Sequence, residues 1–125
     1  MINSQNAKRD DPINYPEVLE RISGDREFLE ELLKIYFLEF GEKRSQTEAA
    51  LRGSDFVLLQ EIGHSLKGAS ANLSLPSLRR DASALEAAGR EKNIEKARQA
   101  LVSLVAECRF LRDFVERNPP RDQRV

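Results

Sequence analysis

Apolar residues in this chain recur every three or four positions over stretches too long for ordinary strands. Phe56, Leu59, Ile62, Leu66, Ala69 and Leu73 form one such series, and Ile94, Ala97, Leu101, Leu104, Cys108, Leu111 and Val115 form another. An α-helix turns once in about 3.6 residues, so this spacing gathers the apolar side chains of each stretch into one stripe. Each stripe must be buried against another, and strand-like alternation with hairpin signals does not occur. The chain is constrained to pack helices on helices.

Glycine, proline and capping residues divide the pattern. Tyr15-Pro16 opens a short amphipathic stretch with Val18, Leu19 and Ile22 on one side, and Ser23-Gly24 closes it. Asp25 is read as the cap of a second helix carrying Phe28, Leu29, Leu32, Leu33, Tyr36 and Phe40 and reaching about Leu51. Gly53-Ser54-Asp55 forms the break and cap before the third helix, and Ser74-Leu75-Pro76 supplies a cap and an early-turn proline for the fourth. That fourth helix, with Leu75, Leu78, Ala82 and Leu85, is expected to stop near Gly89, and Asn93 to cap the fifth, which Asn118-Pro119-Pro120 ends. The expected fold is all-α: an antiparallel up-down-up-down four-helix bundle with a short extra N-terminal helix across one end. The bundle domain is placed at 14–118, between a flexible N-terminal segment, 1–13, and a flexible C-terminal tail, 119–125.

Composition narrows function by exclusion. A length of 125 residues fits one domain, and 20 basic against 21 acidic residues lack the basic excess of a nucleic-acid binder. The longest apolar runs are three or four residues, as at Ile35 to Leu38, and the first residues are polar, so no membrane association and a cytoplasmic location are expected. One cysteine and one histidine cannot form an intrachain disulfide or an ordinary zinc site, and Cys108 on the apolar seam reads as a small buried residue. Charge is unevenly spread: residues 17–48 hold nine acids and five bases, whereas 49–125 hold ten acids and 13 bases. The second half either favours an acidic partner or carries an ordinary solvated imbalance.

The single histidine falls on the polar side of the third helix. At roughly 100° per residue, His64 lies about 170° from the centre of the apolar stripe and so faces solvent. Gln60, Lys67, Gly68 and Ala71 surround it on the helical wheel. Glycine in an exposed helix interior costs about 1 kcal/mol relative to alanine, so Gly68 suggests that space is needed there. Imidazole, with an ordinary pKa near 6.5, keeps a free lone pair at neutral pH for attack on phosphorus, and a neighbouring ammonium would offset the charge of a phosphoryl group. Val57 points in nearly the same direction as His64 and is either a partner contact or one of the scattered surface valines that proteins ordinarily carry.

The string His64-Ser65-Leu66-Lys67-Gly68-Ala69-Ser70-Ala71-Asn72-Leu73 closely resembles the phosphorylation motif of histidine-containing phosphotransfer (HPt) domains of two-component phosphorelays. The similarity extends over roughly residues 15–117. It implies a phosphocarrier: His64 accepts a phosphoryl group from a receiver's aspartyl phosphate and returns it to another receiver's aspartate. Lys67 would support the charge, Gly68 would clear the approach, and Gln60, Val57 and Ala71 would contribute to docking. The implied partners are response-regulator receiver domains and a hybrid histidine kinase. No cofactor of its own is expected, magnesium belonging to the receiver, and the chain is expected to be a monomer without kinase activity. A phospho-accepting module of a chemotaxis-type histidine kinase and a non-phosphorylated helical adaptor are the alternatives. Two positions depart from the family pattern: Ser74 stands where glycine is common, which leaves the following turn open, and Gly63 stands where alanine is frequent, which is read as loosening the helix.

Overall fold

The computed structural model describes residues 10–124 and contains five α-helices, with no strand among the described residues. They are α1 (Tyr15–Arg21), α2 (Arg26–Arg52), α3 (Phe56–Asn72), α4 (Pro76–Glu91) and α5 (Ile94–Arg117), followed by one 3₁₀ turn at Pro120–Asp122. Helices α2 to α5 form the expected antiparallel bundle, each packing on its neighbours in chain order and α5 closing the ring against α2. Leu29, Leu33, Leu59, Leu78, Leu85, Leu104 and Leu111 are among the side chains that fill its interior.

Short links reverse the chain because four helices end in the same hydrogen-bonded turn. The amides of Gly24, Asp55, Leu75 and Asn93 each bond the carbonyl five residues back, those of Leu19, Ala50, Ser70 and Ala88. Each turn passes through a left-handed non-glycine residue, Ser23 (with Gly24 at 75° after it), Ser54, Ser74 or Lys92, these four with φ between 51° and 59°. Glycine usually takes this place. The helices start on side-chain caps: Asn14, Asp25, Asp55 and Asn93 accept from the amides of Glu17, Phe28, Leu58 and Lys96.

The turn after α3 differs from the sequence expectation. Ser74 does not cap α4; Leu75 takes the cap position without a side-chain bond, and the Ser74 backbone is left-handed. Its hydroxyl instead donates to Glu17 at 2.6 Å and accepts from Arg21, which also donates to the carbonyls of Ala71 and Asn72. Helix α1 therefore closes the end of α3, and Tyr15 extends the contact by donating to the carbonyl of Asn118 at 2.6 Å.

Chain on either side of the five helices also packs against the bundle. Residues 1–9 and 125 lie outside the described residues, but Pro12 and Ile13 are buried and the Asn14 amide bonds the carbonyl of Ser74. At the other end Pro120 is buried, Arg26 donates to the Gln123 carbonyl at 2.6 Å, and Arg121 pairs with Glu30. Apolar burial at both segments, and two α2 partners at the second, hold them against the bundle.

Helices α3 and α4 approach most closely, and two glycines allow it. A Cβ on Gly63 would stand 2.7 Å from Cα of Glu86 and 2.9 Å from the carbonyl of Ala82. One on Gly89 would stand 2.8 Å from Cα of Gln60 and from the carbonyl of Phe56. Gly63 therefore does not loosen α3; it seats α4. Gly89 is not a stop either, for α4 continues to Glu91 and Gly89 packs against α3. Gly68, by contrast, would place a Cβ in open space. Gly63→Ala and Gly89→Ala are each expected to destabilise the fold by about 1–3 kcal/mol through overpacking against backbone. Gly68→Ala should stabilise it by roughly 0.5–1 kcal/mol. Thermal unfolding of the three variants checks both signs.

Candidate functional site

The candidate site lies at the middle of α3, on the face turned away from the bundle interior. His64 is 73% exposed as a side chain, in agreement with the helical-wheel reading. Lys67 stands one turn further on and is partly covered, and the vacancy over Gly68 adjoins both. Val57 is 68% exposed on the same helix. Gln60 is half-buried, its backbone pressed against Gly89. Ala71 lies beside Lys67 and Gly68 on the wall of a groove toward α4.

Glu86 on α4 completes the arrangement, and the sequence reading missed it. His64 Nδ1–H donates to Glu86 Oε2 at 2.9 Å, and Lys67 Nζ lies 2.6 Å from Glu86 Oε1. One carboxylate thus joins both functional side chains of α3. The hydrogen bond from Lys67, then that from His64, hold the Glu86 carboxyl below its ordinary pKa of 4.5. It is ionised at neutral pH and can only accept, so the proton of the neutral imidazole sits on Nδ1. Nε2, which has no partner among the described residues, is left with a free lone pair.

The backbone explains why Glu86 reaches this far. Its amide and Cα rest on the bare face of Gly63, the residue before His64, so the carboxylate starts from the surface of α3. The available signal was the series Ala82, Glu86 and Gly89, which places a carboxylate on the edge of the packed face of α4. Seeing that it met His64 required knowing how the two helices are aligned.

Residues 31–117 match the family model of the Hpt domain. The chain belongs to the Hpt domain family. Hpt domains act in histidine phosphotransfer within phosphorelays, as phosphocarrier modules that lack a catalytic domain of their own, and they interact with the receiver domains and kinases of two-component systems. No curated protein matches the sequence significantly. The match includes α3, α4, α5 and most of α2 of this Hpt domain and leaves α1 outside it.

Among the described residues no His, Cys, Asp and Glu cluster could hold a metal ion, and no helix is long and apolar enough to cross a membrane. Cys108 is buried between α2 and α5, where burial pushes its thiol up to about 11. It carries no thiolate at neutral pH, as expected of a core residue.

The Glu86 clamp has a measurable signature. Nitrogen-15 NMR above pH 8 should find His64 predominantly protonated on Nδ1 in the wild type and shifted toward the Nε2-protonated form in Glu86→Ala. Because the folded-state pKa of Glu86 is lowered, the stability it contributes is present above its ordinary value of 4.5 and is lost as pH falls through the folded value. Acid unfolding followed by circular dichroism should show less of this loss in Glu86→Ala. An unchanged tautomer ratio would remove Glu86 from the site.

Proposed function

We propose that His64 is the phospho-acceptor of this Hpt domain, taking a phosphoryl group from the aspartyl phosphate of one receiver and passing it to the aspartate of another. The observation that carries this reading is the exposed imidazole whose Nδ1–H is engaged by an ionised Glu86, which leaves Nε2 as the nucleophile. In the forward step the Nε2 lone pair attacks phosphorus, the P–N bond forms, and the bond from phosphorus to the aspartyl oxygen breaks. The receiver's carboxylate leaves with that electron pair. Attack leaves positive charge on the ring, and the Glu86 carboxylate, still bonded to Nδ1–H, stabilises it. The same steps in reverse deliver the group to the second receiver.

Lys67 acts on the phosphoryl oxygens. Its ammonium rests on Glu86 in the free protein, and a lysine stem is long enough to turn from the carboxylate to a phosphoryl group on the next turn of the helix. The open space over Gly68 admits the incoming receiver, with Val57, Gln60 and Ala71 bordering the approach. Magnesium, held by the receiver, supplies its electrostatic support from the partner's side. A cytoplasmic location follows from this partnership.

Incubation with phosphorylated receivers should place an acid-labile, alkali-stable label on the wild type and none on His64→Gln, with helix content equal in both. Label undiminished in that variant would overturn the acceptor assignment. ATP and magnesium alone should leave the pure chain unlabelled, whereas ATP-dependent labelling would support a kinase instead. Lys67→Ala should slow transfer or shorten the lifetime of the phosphohistidine.

Gly68→Gln separates clearance from stability. The exposed helix should tolerate or prefer glutamine, while the side chain stands one turn from His64 in the path of the aspartyl phosphate. Transfer is expected to fall at least about tenfold without loss of melting temperature. Wild-type transfer by a fully stable variant would show that Gly68 clears no path.

A further inference from the structure

Helix α3 is flanked by two grooves of different chemistry. Toward α2 the groove is lined mainly by apolar side chains, including Ile22, Leu32, Ile35 and Ala69. Toward α4 an open groove of about 780 Å³ runs from Lys67, Gly68 and Ala71 to Arg79, Arg80 and Ala84. This second groove begins at the vacancy beside His64.

Lys67 is paired with Glu86, but the positive charge at the far end of the groove is not neutralised among the described residues. Arg79 and Arg80 are exposed, and among the described residues neither pairs with a carboxylate; Arg80 meets only the Ser77 hydroxyl, at 3.3 Å. The three acids of α4 are engaged elsewhere. Asp81 accepts from Ser103 on α5, Glu86 holds His64 and Lys67, and Glu91 holds Lys96. Small side chains at Ala71, Ala84 and Ala87 keep the floor low between the cations, so a protein surface can reach them.

We infer that the basic groove between α3 and α4, with Arg79 and Arg80 at its far end, is a docking surface for the acidic rim that surrounds the receiver's aspartyl phosphate. The inference rests on the function proposed above and specifies how the partner is held. An aspartyl phosphate is dianionic, and a site that also binds magnesium must bring further carboxylates to the same rim. Seating such a rim on His64 places negative charge over Lys67 and the adjoining groove. Arg79 and Arg80 then attract and orient the receiver while taking no part in the bond exchange. Charge of this kind raises association rates, and salt suppresses the effect.

The test uses the phosphorylated receiver that labels wild-type His64 fastest, with transfer followed at low and high receiver concentration and at about 50 mM and 500 mM salt. Arg79→Glu/Arg80→Glu should lower the second-order transfer rate about tenfold at low salt, and Arg79→Gln/Arg80→Gln by a smaller factor. The rate at saturating receiver should be unchanged, and the difference should shrink at high salt. Arg98→Glu/Arg109→Glu on α5, which changes net charge equally, should have little effect. Circular dichroism confirms that each variant is folded. Wild-type second-order rates in the Arg79/Arg80 variants, or equal slowing by the α5 pair, would overturn the docking surface while labelled His64 upheld the acceptor. If no receiver labels the wild type, both the proposed function and the docking surface fall.

Discussion

The contact between α3 and α4 without side chains at Gly63 and Gly89 is the constraint on which the site depends. Each glycine lies against backbone of the opposing helix, so at these two points the helices meet backbone to backbone with no Cβ between them. Glutamate is an ordinary surface residue, and extended from a helix at usual spacing it would meet water. Here its own Cα touches the residue before His64, and the carboxylate bridges the histidine and the lysine. Helix packing thereby sets the electrostatics of the exposed imidazole.

This construction separates rigid from adaptable parts. The tautomer of His64 depends on Glu86, whose backbone is locked by the glycine contact. Lys67 is held only through its terminal ammonium and stays partly exposed, so it can change partner. The open space over Gly68 has no wall to move. In the proposed role, serving both as acceptor and as donor, such a site offers a positioned nucleophile without a closed pocket and leaves the remaining catalytic groups to the receiver.

The remainder of the domain holds that face in place. Tyr36 on α2 and Ser70 on α3 share a buried hydrogen bond of 2.9 Å, which fixes α3 from the inner side. At the end of α3, Arg21 and Ser74 tie its last carbonyls to α1. Serine at this left-handed position forgoes the conformational ease of glycine but contributes a hydroxyl to the Glu17–Arg21 pair. Ser74, one of the two positions where the sequence departs from the family pattern, is therefore a link between α1 and the helix that bears His64.

Much of this protein was legible in its sequence because helical periodicity is local. The stripes of α2 to α5, the caps at Asp25, Asp55 and Asn93, and the outward direction of His64, Lys67 and Gly68 all follow from 3.6 residues per turn and from groups a few residues apart. Other features depended on how one helix meets another. Gly63 read as a weakness and Gly89 as a stop, for a glycine's sequence neighbours do not reveal whose backbone lies against it. Glu86, 22 residues from His64, joined the site only once the register of α4 on α3 was set. The groove at Arg79 and Arg80 likewise exists only where the two surfaces meet. Sequence by itself determined the helices, their order and the direction of His64, since these are properties of single segments; tertiary structure decided the partner of its ring nitrogen, because that depends on the distance and alignment between two helices.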